Sequence, residues 1–564
     1  MYIPGHSSMT TRRSVLQLLG ALGAGAASTA AGCSDEPTAT PGTDAGASDA
    51  GLPTDTGAAT DAGPGDVPAP PADVPPRPYT AFQHGVASGD PLPEAVILWT
   101  RVTPRPGAPV APVEVTWEIA RDPTFMMRAG GGTVTAEAAR DYTVKLDATG
   151  LEAATTYFYR FRAGEFVSPV GRTRTAPTGG VSRMRLAVVS CSSYAHGYFH
   201  AYDKLSRRLD LDAVIHLGDY IYEYATGRYG ALREYDPPTE IHTLSDYRRR
   251  YAHYRRDPML RAAHQQHPFI PIWDDHESVN NANTTDPEDH TLGDWAARKA
   301  AAIQAYNEWM PIRSQTNPAQ IWRRLAFGDL LDLVLLDTRL WQRAAQSSLP
   351  ADLSDPSRQL LGADQEAWFH QQVSTSRARW KLVGQQVMMG QLPQVLNNDQ
   401  WDGYPVARSR FFSLLRAMMV PNVVVLTGDI HTSWAMELTE DFRDVMAYDP
   451  TTGRGSLATE FVVPAITSPG FTPGLAAIVA PLITRDSRHV KYFELVRRGY
   501  VILDVTPERL QAAFFYVDDI TTTASGESFG AAFSVRNGTP ALVRDEAAMA
   551  PPTAVRPGAP PEMG

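Results

Sequence analysis

Asp274-Asp275-His276-Glu277 sets four titratable side chains in four consecutive positions. Carboxylates this close repel one another, and their ionised forms persist only where cations or cationic groups compensate. Metal ligation is the chemistry to expect of them. Gly218-Asp219-Tyr220-Ile221-Tyr222 offers a carboxylate and, three residues on, a phenol, so two oxygen ligands would share one side of a turn. A phenolate is a hard anionic ligand that suits Fe(III). The bland alternative has Asp219 capping a helix and Tyr222 filling the core. Gly428-Asp429-Ile430-His431 places a carboxylate and an imidazole two residues apart, on one side of an extended segment. Cys191 sits between Ser190 and Ser192. Taken alone, a cysteine is more often a small buried hydrophobe. Oxygen ligands mixed with thiolate and imidazole imply more than one kind of metal ion.

Something must bring these clusters together, and each follows an apolar run. Leu186-Ala187-Val188-Val189 leads to Cys191, and Ala213-Val214-Ile215-His216-Leu217 leads to Asp219. Phe269-Ile270-Pro271-Ile272-Trp273 leads to Asp274, and Val423-Val424-Val425-Leu426 leads to Asp429. Short apolar runs of this kind read as buried strands covered on both faces. Ligands of open α/β sheets bind beyond the carboxyl ends of such strands. One crevice at four strand ends is therefore expected to collect Cys191, Asp219, Tyr222, Asp275, Asp429 and His431. Further strands are expected before Asp337 and over Trp380 to Met389, and a helix over about Asp294 to Trp309, stopped by Pro311. Arg248, Arg249, Arg250, Arg255 and Arg256 read as a solvated helix face rather than a phosphate clamp. His84, His264 and His267 read as structural.

At 564 residues the chain has room for two or three domains besides its tails. Its net charge of −11 supplies no basic field, so specific nucleic-acid binding is not expected. Bound cations would let such a protein take an anionic substrate. Cys33 and Cys191 are the two cysteines, too few for a disulfide framework. Thr11-Arg12-Arg13-Ser14-Val15-Leu16-Gln17 resembles a twin-arginine export signal, ahead of an apolar stretch ending at Ala30-Ala31-Gly32-Cys33. That ending resembles a lipoprotein processing site, with Cys33 as the lipidated residue; a simply cleaved signal is the alternative. Beyond the leader no segment is long and apolar enough to span a bilayer.

The composition shifts divide the chain. Residues 1–33 form the signal. Residues 34–78 are acidic and rich in Ala, Asp, Pro and Thr, a disordered tether without enough apolar surface to offset ordering entropy. Residues 79–178 read as an all-β sandwich. Val113 to Ala120 alternates with period two, and Tyr157 after Gly150-Leu151 resembles the tyrosine corner of fibronectin III-like domains. Strands and helices alternate over 183–520, the expected α/β catalytic domain, and 540–564 reads as a loose Pro/Ala-rich tail.

Together these motifs, in this order, resemble the PhoD-like alkaline phosphatases and phosphodiesterases, a branch of the purple-acid-phosphatase and calcineurin-like metallophosphoesterase group. Further stretches carry the resemblance: Phe82 to Pro91, Leu98 to Val102, Asp337-Thr338-Arg339, Gly384-Gln385-Gln386-Val387, Trp401-Asp402-Gly403-Tyr404 and Thr467-Ser468-Pro469-Gly470. It extends from about Phe82 to Tyr516. It implies a metallophosphoesterase β-sandwich flanked by helices, holding Fe(III) and Ca(II). Cys191, Asp219, Tyr222 and His431 match the iron ligands; Asp219 would bridge to calcium, with Asp275 and Asp429 completing that side. Where purple acid phosphatases carry Asn and His, this chain has Asp275 and Asp429, a swap that favours hard Ca(II). Asp274, Asn280 and Asn281 are further calcium-ligand candidates, and His276 matches the residue that protonates the leaving oxygen. The metal-binding His that relatives carry near Gly384-Gln385-Gln386 has no counterpart.

The implied activity is hydrolysis of phosphate mono- and diesters by in-line attack of metal-activated water. The twin-arginine machinery would be a partner, and the location periplasmic or, through Cys33, membrane-anchored or extracellular. A phospholipase D-like phosphodiesterase is one alternative, and a non-catalytic surface lipoprotein another.

Overall fold

The computed structural model describes residues 79–285, 293–392, 397–554 and 556–561. The export signal, Cys33 and the 34–78 tether lie outside them. The strands expected to deliver the ligands form, on two stacked sheets, the β-sandwich that the resemblance implies. Met184–Val189, Ala213–His216 and Pro268–Pro271 are parallel neighbours in a ten-stranded sheet. Val423–Thr427 lies in a seven-stranded sheet, parallel to Trp380–Gln385 and Ala458–Val462. A parallel bridge from Ser190 to Ala465 joins the two sheets at the level of the site.

Side-chain alternation shows how the sheets stack. Leu333, Leu335, Leu382, Val424 and Leu426 share one core with Leu186, Val188 and Ile215 of the first sheet. Their immediate neighbours Val334, Leu336, Val383, Val423 and Val425 face the opposite way, onto Phe369, Val373, Phe411 and Leu415. The last four belong to the helices Gly362–Thr375 and Pro405–Ala417. A strand presents successive residues to opposite faces, so a strand apolar on both must be covered on both. The result is two stacked sheets with helices outside. The helix expected near Asp294 runs Trp295–Trp309, with the Asp294 carboxylate accepting from the Ala296 amide as its cap.

The N-terminal part is all-β, yet it is fastened to the catalytic sheet by hydrogen bonds. Val86–Leu92 pairs in parallel with Pro268–Pro271, and Ala95–Arg101 and Thr143–Thr149 follow outward. The other N-terminal strands form a five-stranded sheet, and Val115, Ile119, Tyr159 and Phe161 pack on Val86, Val96, Leu98 and Val144. The tyrosine corner is present: the Glu152 amide donates to the Tyr157 hydroxyl at 2.9 Å. Gly89 marks the closest approach, because a Cβ there would meet Pro311 O at 2.1 Å.

Two expectations need correction. The described residues after 540 are not loose. Thr539–Asp545 closes the ten-stranded sheet, and beyond it Arg556 pairs with Asp212 at 2.7 Å while the Ala559 amide donates to Gln266 at 2.9 Å. Proline removes a donor but leaves carbonyls and neighbouring amides free to bind the body. The arginine run is not simply a solvated face. It lies on and just past the helix Leu244–Tyr254, and Arg250 and Arg255 are fully buried. Arg250 donates to the carbonyls of Tyr222, Tyr224, Pro237 and Thr239, stapling the loop beyond the site to the helix. Arg255 lies 4.5 Å from the centre of the Trp99 ring.

Candidate metal centre

Three of the four strands end in a left-handed backbone corner that local sequence pattern does not announce. Cys191, Asp219, Asp429 and His431 have φ of 62°, 56°, 64° and 60°. The left-handed region costs a residue with a side chain about 1–2 kcal/mol, and such strain persists where the surroundings over-determine it and function needs it. Gly218 turns the chain at φ 103°, and a Cβ there would lie 2.4 Å from the Asp274 backbone nitrogen. Only glycine lets the Asp219 and Asp274 corners touch.

The corners bring all the expected residues of the described chain together. Ligand atoms of Cys191, Asp219 and His431 lie within 4.8 Å of one another, as do those of Asp219, Asp275 and His276, and those of Asp274, Asp275 and Asp429. Asp219 belongs to the first two groups and Asp275 to the last two, so the three form a continuous centre. Tyr222 joins the first group: its hydroxyl is 2.8 Å from Asp219 Oδ2 and 3.3 Å from His431 Nε2. The Ser468 hydroxyl donates to the Tyr222 oxygen at 2.6 Å. His431 Nδ1 donates to the Pro469 carbonyl at 3.0 Å, which fixes the proton there and leaves Nε2 as the donor atom facing the site. Asp429 and His431 are partly exposed while the other members are buried, so the centre opens to solvent on their side.

The electrostatics ask for cations. Burial pushes the Cys191 thiol and the Tyr222 phenol well above their usual ranges, and Asp219 adds to both shifts. Burial likewise raises Asp274, and it lifts Asp429 to about 7. One guanidinium, Arg339, opposes this crowd: it pairs with Asp274, with Asp399 at 2.8 Å and with Asp429 at 2.7 Å. Even so, Asp274 Oδ2 and Asp275 Oδ1 are buried without a hydrogen-bond partner. Orphaned carboxylate oxygens beside a buried thiol and phenol fit a centre built around bound metal. The donors differ across it. Sulfur, phenol oxygen and imidazole gather on one side, the His276 ring lies beside Asp219 and Asp275 in the middle, and the carboxylates of Asp274, Asp275 and Asp429 make up the other.

Four supporting residues were not assigned from sequence. Glu277 is no ligand, because its carboxylate accepts the backbone amides of Asp219, Tyr220 and Asp274 at 3.0, 2.7 and 2.9 Å. Those three bonds hold two corners in register. Arg339 was visible only as part of a motif, although it follows the strand Leu331–Leu335 as the ligands follow theirs. Asp399 gave no signal, since it sits in a loop and acquires meaning only through Arg339, Arg343 and Gln346. Glu223 binds His276 Nδ1 at 2.7 Å and accepts the Asn280 amide at 2.8 Å. Burial alone would lower the pKa of His276, but Glu223, Asp275 and Asp219 outweigh it and raise it well above the usual imidazole range.

Glu223 therefore orients His276 without touching substrate. Glu223→Gln is expected to lower kcat roughly 10–100-fold on an ester with a poor alcohol leaving group, and less on a nitrophenyl ester, with metal content unchanged. Equal losses on both esters would show that the pair does not serve leaving-group protonation.

Comparison with known proteins shows the family to which the chain belongs. Residues 186–514 match the PhoD-like phosphatase family, and residues 69–177 match the PhoD-like phosphatase N-terminal domain. The chain is 38% identical to alkaline phosphatase D of Bacillus subtilis (strain 168) over 478 residues, 80% of each protein. It superposes on a solved structure of PhoD with a TM-score of 0.77 and 36% identity, covering 84% of this chain and 94% of that one.

Proposed function

Because the chain belongs to the PhoD-like phosphatase family and is a phosphoric ester hydrolase, we propose that the centre holds Fe(III) and Ca(II) and acts on phosphate mono- and diesters. The observation that carries this reading is the asymmetry of the donor set. Cys191, Tyr222 and His431 with Asp219 form the mixed side suited to Fe(III), and Asp219, Asp275 and Asp429, with Asp274 beside them, form the oxygen-only side suited to Ca(II).

Bound cations would supply a nucleophile at neutral pH and offset the charge that grows on the phosphoryl oxygens. The chain's own residues do the rest. His276, kept protonated by Glu223, holds a proton at the edge of the centre for the departing alcohol. Arg339 fixes the carboxylates of Asp274, Asp399 and Asp429 in one orientation and brings a permanent positive charge to the place where an anionic ester must sit. Ser468 and Pro469 lock the tyrosine and histidine donors from behind. Backbone corners pinned by Glu277 keep the donors from relaxing apart.

A panel of simple mono- and diesters, with a phosphatidyl ester included, tests the substrate class. Hydrolysis of simple esters at comparable kcat/KM is expected. A rate confined to the phosphatidyl ester would favour the phospholipase D-like alternative, and no turnover of any would leave only the binding reading. We also propose export by the twin-arginine route with a tether at Cys33, on the strength of Arg12-Arg13 and the residues before Cys33. Replacing both arginines with lysine should strand the precursor in the cytoplasm, and Cys33→Ala should release the protein from membranes. An unchanged membrane fraction for Cys33→Ala would exclude lipidation.

A further inference from the structure

Far from the metal centre, a cavity of about 240 Å³ opens where three parts of the chain meet. Arg174 comes from the last N-terminal strand, Thr178, Ser182 and Arg183 from the connecting segment, and Arg556 from the C-terminal tail, with Asp212 completing the polar wall. The cavity lies at the start of the strand Met184–Val189, whose other end leads to Cys191. At about 3.3 Å per residue the two places are roughly 20 Å apart.

Its charges do not balance. Arg174 Nε at 3.0 Å and Arg556 Nη2 at 2.7 Å share a single oxygen of Asp212, whose other oxygen accepts the Arg185 amide at 2.9 Å. Arg183 is held by Asp504, which Arg185 shares while also binding Asp210. Just behind, Arg172 donates to the carbonyls of Gln266 and Leu209, at 2.8 and 3.0 Å. Arg174, Arg183 and Arg556 line the cavity with Arg172 and Arg185 behind them, against the carboxylates of Asp212, Asp504 and Asp210 and that of Asp329, which accepts the Val181 amide at 3.0 Å, in a protein whose net charge is −11. Burial, then Arg556 and Arg174, depress Arg172 to about 10. A concentrated positive surplus on an acidic protein attracts anions. Planar guanidiniums donate well to tetrahedral oxyanions. The volume sets the size of the guest. It falls short of the roughly 300–1,000 Å³ typical of sites for larger organic ligands and suits one small oxyanion with a few waters.

We propose that this cavity is a second anion site, remote from catalysis, that takes a tetrahedral oxyanion of the phosphate class and bridges Arg174 of the N-terminal strand to Arg556 of the tail. The ion supplies the charge that Asp212 alone cannot. It adds to the contacts that already hold the tail, among them Asp212, the Leu211 carbonyl, Gln265 and Gln266, and fastens it to the seam between the N-terminal and catalytic parts. Inorganic phosphate, the product of monoester hydrolysis, is a natural occupant.

Equilibrium dialysis of the metal-loaded protein against labelled inorganic phosphate tests this. Arg556→Gln and Arg174→Gln should each bind one phosphate fewer per chain than the unaltered protein, with ester hydrolysis within about twofold of it. Asp275→Asn, which alters the metal centre, should keep that phosphate. Phosphate should also slow proteolytic trimming of the tail, and Arg556→Gln should abolish the protection. Arg556 lies outside the core, so that variant stays informative even if Arg174→Gln folds poorly. If both arginine variants bind as much phosphate as the unaltered protein, or if Asp275→Asn removes all binding, the proposal is overturned.

Discussion

Removal of calcium by a selective chelator, with iron retained, should abolish ester hydrolysis, and added Ca²⁺ should restore it. The expected loss is at least on the order of 10³-fold, the scale on which preorganised charge at a phosphoryl group acts. The reasoning starts from charge. Asp274, Asp275 and Asp429 converge on one place, and among the described residues Arg339 is the one guanidinium paired with them. Without a further cation, burial first and then Asp399, Asp275 and Asp219 favour the neutral form of Asp429, whose pKa is lifted to about 7. Protonated carboxyls cannot orient an anionic ester as a cation does. Stripping the ion should also lower the thermal midpoint, because an ion that binds only the folded state stabilises it. Full activity in a sample shown by elemental analysis to lack calcium would refute the assignment of that side.

Tyr222→Phe should bleach or shift the visible band expected of the purified protein. A phenolate and a thiolate both donate charge into Fe(III), so the native protein should be coloured. The substitution leaves the ring where it is, stacked 4.2 Å from His276 and 5.4 Å from Tyr229, and removes only the oxygen. That oxygen binds Asp219, His431 and Ser468. Activity should fall roughly 10–100-fold, while stability falls by about 1 kcal/mol for the lost hydrogen bonds. Cys191→Ala should reduce iron content, because it deletes the sulfur donor at the left-handed corner after Val189. A colourless, iron-free and fully active enzyme would return Cys191 and Tyr222 to ordinary core roles.

The sequence by itself determined which residues could meet a metal. Apolar runs bury their own strands, and the polar residue that ends each run must emerge at a strand end; that is a local property, readable from Val189 to Cys191 or from Leu426 to Asp429. The mixture of donor types likewise needs no coordinates. The same local logic located the helix at Trp295–Trp309 and the tyrosine corner at Tyr157. It misread the tail after residue 540, because composition describes a segment's own ability to fold and not the surface waiting for it. It gathered four strand ends at one crevice, and the family resemblance, not the local pattern, supplied the two stacked sheets between which that crevice lies. Only the tertiary structure decided how the donors are held. Arg339 meets Asp274, Asp399 and Asp429 from 65, 60 and 90 residues away, and Glu277 pins Asp219 from 58. Such partners are chosen by how two sheets stack, and local periodicity carries no record of it. The left-handed corners at Cys191, Asp219, Asp429 and His431 arise in the same way, since residues of these types enter that region only when surrounding contacts outweigh its cost.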